Sequence, residues 1–239
     1  MTIATKTDAG RVRTNNEDSI LVDQERGIFL LADGMGGHNA GEVASKLAVD
    51  AAHDYLKDRI SMIESDEELL SALDAAIMRA HEAIKERAAS DIQLRGMGTT
   101  LVALVTKNER AYICHVGDSR AYLLRDILKQ LTKDHTMGEY LVKQKVMSRQ
   151  KVPAQQWHTL TQAVGTGENL IPDKNRIGLK SGDILLLCSD GLTDMLENVE
   201  IEAILKNDKS NINEIADSLV AEANNRGGRD NISLILGVI

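Results

Sequence analysis

The chain has 239 residues, a hydrophobic content of 43% and a formal net charge of −8. An acidic chain lacks the basic surface of general nucleic-acid binding, and no apolar run is long enough to span a bilayer. The segment from Met1 to Lys6 lacks the apolar stretch of a signal peptide. We therefore expect a cytoplasmic location, no nucleic-acid partner and no membrane partner. With two prolines and no Gly/Ser-rich tract, one domain over 1–239 is predicted.

The hydrophobic pattern predicts clustered strands separated by pairs of helices. Strands are expected at 2–6, 19–22, 28–32, 101–105, 111–116, 121–124, 184–188 and 232–238, and helices at about 41–60, 65–89 and 211–225. The second helix opens with Ser65 and Glu68, which are spaced as a capping box. A polar, partly helical segment at 137–164 resembles an insertion over a β scaffold. This order favours an α+β fold of antiparallel sheets covered by helices over a regular βαβ alternation.

Apolar strands repeatedly meet their loops at an aspartate. Asp33 and Asp190 follow predicted strands and are each followed by glycine, whereas Asp230 lies just before the last strand. Asp18 and Asp118 also lie near strand ends. Because the chain has no Cys/His cluster with zinc spacing, a site of carboxylates, carbonyls and water predicts Mg²⁺ or Mn²⁺. Two such ions activate a shared water for attack on a phosphate.

The glycines after Asp33 allow three interpretations. Gly34, Gly36 and Gly37 have no side chain, so carbonyls or waters approach an ion closely there. A phosphate-binding loop is an alternative, although the segment lacks the Gly-Lys-Ser/Thr ending of a P-loop. A simple structural turn is the third interpretation, because Asp-Gly is common in turns.

Seven ordered segments together resemble one family. They are Thr7 to Gly10 with Arg13 and Asn16 to Asp18; Ala32 to His38; Gly98 to Thr100; His115 to Arg120; Asp134 to Thr136; Ser189 to Leu192; and Gly227 to Asn231. In order and spacing the sequence resembles the type 2C metal-dependent serine/threonine protein phosphatases in their compact bacterial form. The resemblance implies a four-layer αββα sandwich, with two central antiparallel sheets, flanking helix pairs and a flap at about 137–164. It also implies hydrolysis of phosphoserine and phosphothreonine by in-line attack of a water that bridges two Mg²⁺ or Mn²⁺ ions.

The same resemblance implies roles for individual residues around the two ions. Asp33 bridges both ions, and the Gly34 carbonyl binds one of them. Asp190 and Asp230 complete the shell of the first ion, directly or through water. Asp18 lies on the network of metal-bound water beside Asp33.

Further roles implied by the resemblance concern a third ion and the phosphate. Asp118, together with Asp190, holds a weaker third ion. Arg13 is the phosphate clamp, because its planar fork binds two phosphate oxygens at once. For His38 two interpretations stay open: a general acid for the leaving serine or threonine oxygen, or a residue that only shapes the loop.

The flap departs from the family pattern. The stretch 142–147 contains no glycine, and Gln155 to His158 stands where family members carry a His-Pro-x-Arg element. The flap therefore gives no indication of which phosphoprotein is recognised. Two alternatives to the phosphatase are a non-catalytic regulatory module on the same fold and a hydrolase of small phosphomonoesters. The expected partners are phosphorylated proteins and a cognate serine/threonine kinase, and the expected state is a monomer.

Overall fold

The computed structural model describes residues 1–36, 40–207 and 211–239. In these ranges the strands are β1 Thr2–Asp8, β2 Asp18–Asp23, β3 Ile28–Met35, β4 Gly98–Thr99, β5 Leu101–Lys107, β6 Arg110–Val116, β7 Arg120–Leu124, β8 Leu128–Gln130, β9 Asp173–Gly178, β10 Ile184–Cys188 and β11 Ile232–Val238. The α-helices are α1 Ala40–Leu56, α2 Asp66–Ser90, α3 Met137–Lys143, α4 Asp190–Thr193, α5 Asn198–Leu205 and α6 Ile212–Asn225.

The strands form two antiparallel sheets. One has the order β1-β11-β10-β7-β8, and the other has the order β2-β3-β5-β6-β9 with β4 beside β3. A central apolar layer that includes Phe29, Leu104 and Leu187 lies between the sheets. Helices α1 and α2 cover the second sheet through residues such as Leu73, whereas α4, α5 and α6 cover the first through residues such as Leu219. This is the four-layer αββα sandwich that the resemblance implied.

The long elements match the predictions closely. Ser65 accepts a hydrogen bond from the Glu68 backbone N–H at 3.2 Å, and the Ser65 N–H donates to the Glu68 carboxylate, so the predicted capping box starts α2. The strand predicted at 28–32 continues to Met35, because Gly34 and Met35 pair with β4. That extension carries Asp33 and Gly34 into the sheet and fixes their backbone.

Five of the described strands and α-helices were not predicted from the sequence: β4, β8, β9, α4 and α5. Strand β9 is exposed along nearly its whole length, so it lacks the apolar alternation that indicates a strand. Helix α5 has only eight residues, which give a short periodic signal. The segment predicted as partly helical contains α3 followed by short 3₁₀ turns at Arg149–Lys151 and Ala154–Trp157. None of the described helices combines the length and apolarity needed to cross a membrane.

Candidate metal centre

Strand pairing brings the predicted carboxylates to one edge of the sandwich. Asp18, the first residue of β2, lies directly opposite Asp33 of β3 in the register of the sheet. In the other sheet, β10 leads through Ser189 into Asp190 at the start of α4, and Asp230 lies two residues before β11. Since β10 and β11 are antiparallel neighbours, the end of one strand and the start of the other lie side by side.

An open cavity of about 390 Å³ lies at this edge, and it is lined by Arg13, Asp33, Gly34, Asp118, Asp190 and Asp230, among others. Six of the residues selected from the sequence thus come together around one space. Asp18 is 9% exposed and lies behind Asp33. His38 falls outside the described residues.

The backbone at Asp33 is fixed by two threonines. The Asp33 N–H donates to Thr100 Oγ1 at 2.9 Å, and the Thr100 N–H donates to the Asp33 carbonyl at 2.8 Å. Thr99 Oγ1 donates to the same carbonyl at 2.8 Å. Both threonines are buried, so Asp33 is held on a rigid support before any ligand binds, as a preorganised site requires.

Gly34 is required by close backbone packing. A Cβ at this position would overlap the Gly41 carbonyl oxygen and would lie 2.6 Å from the Glu17 carbonyl oxygen. The Gly34 N–H also donates to the Glu17 carbonyl at 3.1 Å. A residue with a side chain would therefore displace the loop that positions Asp33.

Burial, together with the charge of neighbouring carboxylates, raises the pKa values of this cluster. Burial, followed by the charge of neighbouring aspartates, holds the pKa of Asp33 and the pKa of Asp190 well above the usual range. Burial raises the pKa of Asp18 to about 6, against hydrogen bonds from Ser233 and Ser189 that lower it. Burial and the charge of Asp134 likewise raise the pKa of Asp118 to about 6. The surrounding protein therefore does not fully offset the negative charge of these four carboxylates.

Two carboxylate oxygens in this cluster fit a cation. Asp18 Oδ1 and Asp190 Oδ1 are buried and have no hydrogen-bond partner. A buried acceptor without a donor is unfavourable, whereas an oxygen-rich cluster with spare lone pairs is the ligand set of Mg²⁺ and Mn²⁺. The donor set therefore fits hard divalent ions.

Comparison with known proteins agrees with this geometry. A family model described as "Protein phosphatase 2C" matches residues 8–229. The serine/threonine phosphatase stp of Listeria innocua is 39% identical over 97% of this chain and 93% of its own length. The chain belongs to the protein phosphatase 2C family. The family and the enzyme class predicted from the sequence are thus confirmed.

Solved structures of this phosphatase family have the same architecture. The serine/threonine phosphatase PstP/Ppp of Mycobacterium tuberculosis superimposes with a TM-score of 0.88 at 38% identity, covering 100% of this chain and 98% of that chain. A catalytic domain of PstP in complex with 2 manganese ions gives a TM-score of 0.84 at 38% identity, covering 98% and 96% of the two chains. The predicted αββα architecture is thus confirmed.

Sequence reasoning missed several residues of this phosphatase site. Asn231 donates from Nδ2 to the carbonyls of Ala9 and Asn15, and its Oδ1 accepts from the Glu17 N–H at 2.8 Å. It thereby joins the N-terminal loop to the start of β11. The Asp-Asn pair at 230–231 was visible in the sequence, but its partners lie more than 200 residues away. His158 and Asp194 were also missed, and no local pattern indicates that they meet.

The histidines of β6 and the following loop do not join the site. His115 Nε2 lies 2.9 Å from the Lys133 carbonyl, and His135 Nδ1 accepts from the Gly117 N–H at 3.3 Å. Their rings stack with centroids 4.9 Å apart. These contacts give both histidines a structural role in holding β6 against the loop that follows β8.

Ser189 is expected to orient Asp18 for metal binding. Its Oγ donates to Asp18 Oδ2 at 2.8 Å and accepts from the Ser233 N–H at 3.0 Å, which leaves Asp18 Oδ1 free. Ser189→Ala removes this hydrogen bond and is expected to weaken Mn²⁺ binding by roughly tenfold or more, because partners that orient metal ligands have effects of about 10- to 100-fold. Calorimetric titration with Mn²⁺ measures the change, with Ser218→Ala on the exposed face of α6 as control. Unchanged affinity in Ser189→Ala would contradict the role.

Proposed function

We propose that this protein uses its aspartate cluster as the metal centre of a serine/threonine protein phosphatase. Asp33 would hold both of two Mg²⁺ or Mn²⁺ ions, and the Gly34 carbonyl, Asp190 and Asp230 would hold one of them. Asp18 contributes through the network beside Asp33. The observation that carries the proposal is the convergence of strand-end carboxylates with two unpartnered buried oxygens. The relatives' names as serine/threonine phosphatases support the activity.

The chain's residues and the ions divide the chemistry between them. Bound ions would supply the nucleophile by lowering the pKa of a water, and they would offset the charge of the phosphate. The fixed backbone of Asp33 keeps its carboxylate in place, so no reorganisation is needed during the reaction. Asp118 lines the same cavity, and with Asp190 it holds a third, weaker ion in this proposal.

A cysteine nucleophile does not fit the site. The chain has two cysteines, and both Cys114 and Cys188 are buried in strands. Burial raises the pKa of each thiol to about 12. A thiol with so high a pKa is not a useful nucleophile at neutral pH. Direct attack by water is therefore the favoured route.

Arg13 is proposed to orient the phosphate. Its guanidinium lies at the cavity and donates to Asp230 Oδ2 at 2.6 Å, with 51% of its side chain exposed. The guanidinium is thus held at the metal cluster and has solvent access to reach a phosphate. His38 as a general acid remains part of the proposal, with loop shaping as its alternative.

Arg13→Ala is expected to raise the KM for a phosphothreonine peptide about tenfold, with a smaller effect on kcat. Charge-assisted hydrogen bonds contribute about 1.5–3 kcal/mol, the low end applies to an exposed group, and 1.4 kcal/mol is about tenfold. An effect confined to KM indicates binding shared by the ground and transition states. Steady-state kinetics measure both constants. Arg11→Ala, an exposed arginine two positions away, is the control, and an unchanged KM in Arg13→Ala would rule out the clamp.

The cellular setting completes the proposal. Phosphorylated proteins are the substrates, a serine/threonine kinase acts in opposition, and the chain works as a monomeric catalytic domain over 1–239 in the cytoplasm. The names of the relatives support phosphoprotein substrates. The kinase, the monomer and the location rest on the sequence alone.

Activity after removal of metal tests the proposed function. Protein stripped with a chelator and desalted should not hydrolyse a phosphothreonine peptide, and added Mg²⁺ or Mn²⁺ should restore turnover. A higher kcat/KM for the peptide than for p-nitrophenyl phosphate would support a protein phosphatase over a hydrolase of small phosphomonoesters. Turnover without metal would refute the mechanism, and no turnover with either ion would favour the non-catalytic module.

A further inference from the structure

The flap delivers a histidine to the metal centre. His158 follows the 3₁₀ turn Ala154–Trp157, and its side chain lines the same cavity as Asp190. Its Nδ1 lies 3.2 Å from Asp194 Oδ2. No other imidazole lines this cavity among the residues that the structure describes. The flap thus adds a nitrogen ligand to a cluster otherwise made of oxygen.

We propose that His158, Asp190 and Asp194 bind a divalent ion, preferably Zn²⁺, that connects the flap to the start of α4. The inference rests on the proposed function, because Asp190 is shared with the metal centre. It adds two ligands, His158 and Asp194, that neither the predicted two-ion core nor the predicted third ion contains. The ion therefore joins the flap to the rigid end of β10.

The three side chains have the spacing of a metal site. Each offers one ligand atom, and these atoms all lie within 4.8 Å of one another. Asp190 and Asp194 belong to one helical turn, because the Asp194 N–H donates to the Asp190 carbonyl at 2.7 Å. The backbones that carry the two carboxylates are thus fixed relative to each other, and the flap places His158 beside Asp194.

The Asp190 carboxylate provides a second observation, which this site shares with the metal centre. Its Oδ1 is buried and has no hydrogen-bond partner, so the carboxylate has an oxygen available for an ion. Burial and the charges of Asp118 and Asp194 act on the same carboxylate. A positive ion beside Asp190 and Asp194 would offset the repulsion between them.

The ligand types decide which ion fits. Mg²⁺ prefers oxygen ligands and keeps several waters, so an imidazole adds little to its binding. Zn²⁺ binds imidazole and carboxylate together, commonly with three protein ligands and one water. One histidine with two aspartates is such a set. We therefore expect the site to prefer Zn²⁺ to Mg²⁺.

The flap contains an intrinsic fluorophore beside this site. Trp157 is the only tryptophan of the chain and directly precedes His158. Its ring packs against Gly138 of α3, where a Cβ would lie 2.7 Å from Trp157 Cδ2. The Arg149 guanidinium lies 4.6 Å from the ring centroid. A change in the position of His158 should therefore alter the emission of Trp157.

A fluorescence titration tests the site. Wild-type protein in saturating Mg²⁺, which occupies the oxygen-rich sites, is titrated with ZnCl₂ while Trp157 emission is followed. We expect a change that saturates at one equivalent. His158→Gln and Asp194→Asn should each weaken the apparent Zn²⁺ affinity by about tenfold or more. Mutating a residue that only hydrogen-bonds a metal ligand already lowers metal affinity about 10- to 100-fold.

His53→Gln is the matched control. His53 also pairs with an aspartate, at 3.0 Å from Asp23 Oδ2, but Asp23 lies at the opposite end of β2 from Asp18. This variant should bind Zn²⁺ like wild type. Melting temperatures measured without zinc show whether each variant is folded.

The outcomes separate this inference from the proposed function. Wild-type affinity for Zn²⁺ in both His158→Gln and Asp194→Asn would overturn the inference, as would an emission of the wild type that does not respond to Zn²⁺. Neither result bears on Mg²⁺-dependent turnover of a phosphopeptide by the wild type. Loss of that turnover would overturn the proposed function, whatever the zinc titration shows.

Discussion

Replacing Asp33 with asparagine is expected to lower kcat/KM for a phosphothreonine peptide by roughly a thousandfold. In the proposed metal centre Asp33 would hold both ions, and an amide cannot supply the charge of its carboxylate. Metal ions contribute several kcal/mol of transition-state stabilisation, and each 1.36 kcal/mol is a factor of ten in rate. Steady-state kinetics in saturating Mn²⁺ measure the loss, and calorimetry should show weaker Mn²⁺ binding.

The stability of the same variant distinguishes loss of function from unfolding. In a chelator, Asp33→Asn should melt at the same temperature as wild type or higher, because burial and the neighbouring aspartates disfavour the charged form of Asp33 in the folded state. Asp50→Asn is a suitable control, since Asp50 is an exposed-face residue of α1 paired with Lys46 at 2.7 Å. Near-normal turnover in Asp33→Asn would contradict its role as the bridge.

Metal removal is expected to lower the melting temperature markedly at pH 7.5. One ion at a hundred times its Kd stabilises by about 2.7 kcal/mol, so two ions contribute about 5 kcal/mol. For a chain of this size, 1 kcal/mol shifts the melting temperature by about 2–4 °C, which gives roughly 10–20 °C. Scanning calorimetry with Mg²⁺ and with a chelator measures this difference.

The metal-free protein should also respond to pH in a defined direction. Burial raises the pKa of Asp18 and of Asp118 to about 6, above the value of 3.8 for a free aspartate. The folded state therefore binds more protons than the unfolded state between about pH 4 and 6, and stability falls as pH rises through this window. In a chelator the protein should melt higher at pH 5.5 than at pH 7.5. A melting temperature that stays constant across this range would contradict the raised pKa values of Asp18 and Asp118.

The sequence was sufficient for the elements that carry a strong local signal. Ser65 and Glu68 marked the start of α2 because a capping box is a contact between residues three positions apart. Asp33 and Asp190 were found because each follows an apolar run of the sequence. Their convergence followed from the family resemblance, and in the structure it results from the antiparallel pairing of β2 with β3 and of β10 with β11.

Long-range contacts explain what was not predicted. Asn231 joins loops more than 200 residues away, and His158 meets Asp194 only because the flap folds back on the body. Two β-bridges attach the flap ends, Thr136 to Leu160 and Thr99 to Val164, but single bridges leave no periodic pattern. Strand β9 was not predicted for the same reason. It is defined by its pairing with β6, and its own residues have no hydrophobic pattern of a strand.

Parallel measurement of Mn²⁺ binding and turnover tests the metal centre most directly. Metal-stripped protein is titrated with Mn²⁺, and electron paramagnetic resonance measures the Mn²⁺ that stays free. The number of bound ions is the difference between added and free Mn²⁺. Hydrolysis of a phosphothreonine peptide is followed in the same samples. We predict at least two bound ions per chain, with turnover rising as the second ion binds. Full turnover with one ion or none, or the binding of a single ion at saturation, would contradict the two-ion centre.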